Sequence, residues 1–184
     1  MYARLQSIAD TLDRFAELTG RLLAWLTLGM VIITCAVVVL RYQFQTGSIA
    51  LQESVSYLHA VVFMLGAAYT LKHDDHVRVD IFYQKQSRRV RAWIDLLGTL
   101  LLLVPVCLFI LLESLGYVSA SWAIREGSRE AGGLDAVFLL KTAIPVMAVL
   151  LLLQGCALLL HNLLAIVGYP QPEEIHDIHD DRYG

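Results

Sequence analysis

The sequence predicts an all-α integral membrane protein: a four-transmembrane-helix bundle preceded by an amphipathic interfacial helix. Three observations predict it. The 184 residues are 57% hydrophobic and only 17% charged, with a mean hydropathy of +0.60, too apolar for a water-soluble domain of this size. The apolar residues gather into four long runs instead of spreading around one core, and a run of about 18 or more with few charges is a spanning helix. Lys and Arg are shared very unequally between the segments that separate those runs.

Residues 1–20 are expected to form an interfacial arm. Leu5, Ile8, Leu12, Phe15 and Leu18 recur at helical spacing, while Arg4, Asp10, Asp13, Arg14 and Glu17 take the other face, the pattern of an amphipathic helix. The segment is too polar to span and lacks the apolar core and cleavage site of a signal peptide, so it is expected to lie in the headgroup plane. A membrane domain over 21–168 follows, with spans at about 22–44, 51–71, 93–115 and 136–167. Trp25 and Tyr42 mark the two interfaces of the first span, as aromatic residues commonly do. The second carries Glu53 and His59; the third passes Pro105, its apolar stretch ending near Glu113 with room for helix past Tyr117 to Trp122; the fourth includes Lys141 and Pro145. The fourth is longer than the ~20 residues a bilayer needs, so tilt or protrusion must absorb the rest. Residues 169–184 form an acidic tail.

Orientation follows from the basic residues. Arg4, Arg14, Arg21, Lys72, Arg78, Lys85, Arg88, Arg89, Arg91 and Arg182 fall on one side, against Arg41, Arg125 and Arg129 on the other. The positive-inside rule therefore places both termini and the central loop in the cytoplasm. The acidic tail does not oppose this, because Asp and Glu weigh little in the rule. The net charge of −3 is uninformative for the same reason.

Ionisable groups near a membrane interior are costly and each demands a named partner. Counted at about 1.5 Å per residue, Glu53, Glu113, Lys141 and Arg41 lie at similar depth, and the expected ion pairs are Glu113 with Lys141 and Glu53 with Arg41. Paired in this way they fix helix register and leave no charge for a substrate. His59 and His161 raise the possibility of a b-type haem held between helices. Depth opposes it, since His59 lies about 12 Å from the outer end of its helix and His161 some 37 Å from the outer end of its own. The stretch His73-Asp74-Asp75-His76-Val77-Arg78-Val79-Asp80 is rich in donors but has no second ligand cluster to complete a zinc set. His76, Arg78 and Asp80 are expected instead to bond backbone groups left open at the helix end, ahead of a basic run, Arg88-Arg89-Val90-Arg91, that faces anionic lipid. Cys35, Cys107 and Cys156 stand singly in three different runs, which argues against a disulfide framework and for packing roles. The loop REGSREAGGLDAV turns the chain on the outer side.

No P-loop, G-x-S-x-G, H-E-x-x-H or G-x-G-x-x-G motif occurs, so nucleotide-driven transport and the common hydrolase and dehydrogenase chemistries have no support, and neither cofactor, metal nor nucleic acid is expected. No span is broken by the Gly/Pro interruptions that build substrate sites in secondary transporters. The chain reads as a component of something larger.

Arg41-Tyr42 closing the first helix, Glu53 in LQESVSYL, the stretch GAAYTLKHDDHVRVDIFY, a basic loop leading to Trp93, and SREAGGL before a proline-bearing fourth helix together resemble the small membrane subunit of TRAP transporters (DctQ-like) over about residues 22–167. The resemblance implies a non-catalytic subunit of a tripartite, sodium-driven uptake system for organic acids in the bacterial inner membrane. Its implied partners are a large multi-helix membrane subunit and a periplasmic substrate-binding protein. It implies structural or subunit-contact roles for Glu53, His76, Arg78 and Asp80, added to Arg41, Glu113 and Lys141 from the charge reading. Two other classes remain open on the residues alone: a haem- or quinone-linked redox anchor, and a self-sufficient small transporter.

Overall fold

The computed structural model describes residues 2–73, 83 and 85–169. Its elements are α1 (Tyr2–Gln43), α2 (Ile49–Lys72), α3 (Arg88–Gly98), a π-helical turn (Thr99–Leu103), α4 (Val104–Ala123) and α5 (Val137–Val167). The π turn joins α3 to α4 without a break, so four helices are long and apolar enough to cross a membrane. Among the described residues there is no strand. The four-helix architecture agrees with the sequence.

Two boundaries differ from expectation. α1 runs unbroken through residue 20, so the arm and the first span form one rod of about 63 Å at 1.5 Å per residue. The expected boundary was drawn where composition changes, and nothing there stops a helix: Thr19 satisfies its hydroxyl on the Phe15 carbonyl. The third span begins at Arg88, before the expected start near Trp93, and its helix continues past Tyr117 to Ala123 as the sequence allows.

The other ends have visible causes. Ser48 caps α2, its hydroxyl accepting from the Leu51 N–H, which satisfies one of the open donors of a first turn. α5 ends at Gly168, whose φ of +80° is left-handed, and the Tyr169 N–H returns to the Leu164 carbonyl at 2.9 Å. A glycine is the residue that takes this conformation without steric cost.

α5 is the hub, packing against α1, α2, α3, the π turn and α4. Its buried positions are mainly small or polar: Ala143, Ala148, Gly155, Ala157, Gln154 and Asn162. Leu22, Trp25, Val31, Phe63, Leu102, Phe109 and Leu112 face outward. Lipid tails are as apolar as leucine, so no hydrophobic force drives large side chains inward, and close backbone approach over small residues holds such bundles. At Gly155 the π turn brings the Leu103 side chain so near that a Cβ would meet Leu103 Cδ2 at 2.6 Å.

α1 and α2 approach closely at Gly20, where an added Cβ would stand 2.2 Å from Tyr69 Cδ2 and 2.4 Å from Cγ. Both are rigid ring atoms backed by packed helix, so the helices must separate to admit a side chain. Gly20→Val is expected to destabilise the detergent-solubilised protein by about 1–3 kcal/mol, the usual cost of overpacking. Thermal unfolding should show the loss in Gly20→Val and its partial recovery when Tyr69→Ala is added.

Candidate functional site

Ionisable and polar side chains concentrate at the two ends of the bundle. At the end formed by the 124–136 loop, α4 closes with Arg125 in a left-handed conformation, φ +46°, which turns Glu126 back over its own helix. The Glu126 N–H bonds the Ser121 carbonyl at 3.0 Å, and its carboxylate accepts from Ser121 Oγ at 2.7 Å and Lys141 Nζ at 2.5 Å. Lys141 also lies over the Tyr117 ring, 4.0 Å from the centroid. The Lys141 ammonium and, after it, the Ser121 hydroxyl hold the Glu126 carboxyl below the usual carboxylate range. Beside it, Trp122 Nε1 donates to Thr142 Oγ1 at 2.9 Å and its ring meets Phe138 edge-on.

The same loop folds over the first turns of α2. Glu53 accepts from the Leu134 N–H at 2.7 Å and from Ser128 Oγ, while the Ser128 N–H bonds the Leu134 carbonyl at 2.9 Å. One carboxylate thus organises a loop 75–81 residues further along the chain. Two expected pairings are corrected here. Lys141 pairs with Glu126, not Glu113, and Glu53 binds the loop, not Arg41. Depth alone gave the earlier pairs; it could not register a loop that folds inward and presents nearer partners. Arg41 and Glu113 are exposed, and among the described residues neither has an ion pair or side-chain hydrogen bond.

The opposite end is closed by the first half of α1. Glu17 receives Lys72 Nζ at 2.6 Å, His73 Nε2 at 3.0 Å and Arg21 Nε at 3.1 Å. One turn earlier, Asp13 Oδ1 accepts from Gln154 Nε2 and Asp13 Oδ2 meets His161 Nε2, both at 2.8 Å. Gln6, Asp10, Asp13 and Glu17 form a helical stripe that faces α2 and α5, together with buried Ala9 and Ala16. Ile8, Phe15, Leu18 and Leu22 face away. This reverses the orientation expected of a helix in the headgroup plane, because the acids find cations and amides on α2 and α5 and gain more from them than from water. The hydrogen bond from Lys72, followed by those from Arg21 and His73, pushes the Glu17 carboxyl down to about 2.

His161 is therefore engaged by α1, whereas His59 stacks on Phe63 within α2; the two do not share a site. His76, Arg78 and Asp80 lie outside the described residues, as do residues 170–184 of the acidic tail. Asp10, Asp13, Glu17, Gln154, Glu126 and Ser128 received no specific partner from the sequence. A signal for part of the set was present: Gln154 and His161, seven residues apart in a largely apolar helix, lie on one face and call for a polar neighbour.

A family model described as "Tripartite ATP-independent periplasmic transporters, DctQ component" matches residues 30–165. No curated relative and no solved structure matches the chain.

Two measurements check these pairings. In a double-mutant cycle read by thermal unfolding, Lys141→Met and Glu126→Gln should be coupled, the two changes together costing less than their separate sum, while Lys141→Met and Glu113→Gln should simply add. For Glu17, the carboxyl loses its proton more readily folded than unfolded, so its stabilising effect is complete above the ordinary glutamate range, shrinks as pH falls, and is gone below about 2. The difference in unfolding temperature between wild type and Glu17→Gln should follow that course.

Proposed function

Because the chain belongs to the DctQ component family of tripartite ATP-independent periplasmic transporters, a family of transporter components and not of enzymes, we propose that it scaffolds the large multi-helix subunit of a sodium-driven importer of organic acids. The proposed setting is the bacterial inner membrane, with both termini cytoplasmic as the basic residues favour, and with a periplasmic binding protein delivering substrate on the side of the 124–136 loop.

The observation that carries the scaffold reading is Glu113. Its side chain is exposed on α4, ten residues before the helix end at Ala123, which places it about 15 Å below that end. It stands among exposed Val106, Phe109, Leu112 and Leu115. A carboxylate turned outward within an apolar helix face is unfavourable wherever lipid covers it, and intramembrane charges are paired or face protein. Within this chain the cation at hand, Lys141, is taken by Glu126. The α4 face is thus a contact surface for another membrane protein that brings a basic or hydrogen-bonding side chain to Glu113. Arg41, exposed beside Tyr42 at the end of α1, is a second outward contact. Glu53 and Lys141 act inwardly, by fixing the loop. His76, Arg78 and Asp80 are assigned to the same structural or subunit-contact class on the resemblance of the segment that holds them.

The test is to tag the subunit, solubilise native membranes in mild detergent, and identify by mass spectrometry what co-purifies in near-equal amount. A large polytopic protein is expected. Charge reversal by Glu113→Lys should lower its recovery about tenfold or more, equivalent to at least ~1.4 kcal/mol of contact, while leaving the unfolding temperature of the isolated subunit unchanged. A homo-oligomer without partner, active in liposomes by itself, would overturn the reading.

A further inference from the structure

Where α1 crosses the last third of α5, Asp10, Asp13 and His161 each offer a ligand atom, and all of these atoms lie within 4.8 Å of one another. We propose that these three residues form a binding site for a divalent cation of the zinc class, which staples the first half of α1 to α5. The site is independent of the transporter assignment.

Three features point to a cation in addition to proximity. The first is donor chemistry. One imidazole and two carboxylates are nitrogen and oxygen ligands that zinc accepts, leaving one position of its tetrahedron for a water or a further oxygen. The second is charge. Asp10 and Asp13 sit three residues apart on one helix face and repel each other, and His161 offers at most one positive charge against their two. A dication balances the site with the imidazole neutral, the form in which histidine binds metal.

The third is an idle oxygen. Gln154 is 4% exposed, and its amide nitrogen is on Asp13, but its Oε1 is buried without any hydrogen-bond partner. Gln6 repeats the arrangement on the other flank: Nε2 donates to Asp10 Oδ1 at 3.0 Å and Oε1 is buried and unpartnered. A buried unsatisfied carbonyl costs about 1–3 kcal/mol, and two of them bracketing the same pair of carboxylates is hard to account for by the protein groups alone. The carboxylates accept only and cannot satisfy these oxygens, whereas a water bound to a cation between them donates and can reach an amide oxygen beside the site.

The chain, purified with a tag free of histidine and stripped with EDTA, is titrated with Zn²⁺ by calorimetry and with Co²⁺ by visible absorption. Saturable binding of one ion per chain, low-coordinate cobalt bands, and a rise in unfolding temperature with Zn²⁺ are expected. Asp10→Asn and His161→Gln should each weaken binding at least about tenfold. Asp10 is the safer variant, because among the described residues its carboxylate bonds only Gln6 one turn away and does not hold α5. Its Zn²⁺-free unfolding temperature should match wild type, so a loss of binding cannot be ascribed to misfolding. Absence of saturable binding, or equal binding by the two variants and wild type, overturns the site and leaves Asp13 and His161 as an ion pair only.

Discussion

Lipid tails neither donate nor accept hydrogen bonds, and the arrangement of this molecule follows from that constraint. A carboxylate on a spanning helix or at its end needs a donor within the protein, and here four find one on another element. Glu53 on α2 captures Ser128 and Leu134 of the loop before α5, Glu126 captures Lys141, Glu17 captures Lys72 and His73, and Asp13 captures Gln154 and His161. Between these two belts the helices touch over alanine, serine and glycine. Such contacts are close but have little directional preference, so rotation and register are left to the polar ends.

This division explains what the sequence could disclose. The four spans were legible because lipid imposes an apolar run of known length, and the length, not any partner, defines the signal. Their exact extents were not, because α1 and the third span continue as helix into polar sequence that composition assigns elsewhere. Identifying Glu53 and Lys141 as residues needing partners was likewise possible, since cost in lipid is a property of the single residue. The partner is a property of the fold. Depth counting treats the 124–136 segment as a tether, whereas its Ser128–Leu134 and Gly133–Glu130 bonds make it a small folded unit that brings Ser128 to Glu53 and Glu126 to Lys141.

The first half of α1 shows how amphipathicity misleads inside a membrane protein. A charged stripe opposite an apolar one usually turns its charges to water. In α1 the charges are turned to the bundle, because α2 and α5 offer Lys72, His73, Gln154 and His161 at matching heights. The apolar stripe is then left outermost, continuous with exposed Leu22 and Trp25 of the spanning part. Amphipathicity defines the two faces of a helix; which of them turns inward depends on which neighbour bonds better, and that neighbour lies some 140 residues away for Asp13.

Against this background Glu113 is the informative exception. The same chain that satisfies Glu17, Glu53 and Glu126 through two or more donors each leaves a carboxylate on an apolar outer face of α4 and spends its nearby lysine elsewhere. A chance mutation to glutamate at that depth would be penalised in every copy of a protein that stood alone in lipid. On the scaffold reading proposed above another membrane protein covers it, and an intramembrane contact over small and apolar residues then gains specificity from one polar pair. An exposed charge on an apolar helix face thus carries information that a stripe of leucines cannot: lipid covers leucine as well as a protein does, but it covers a carboxylate poorly.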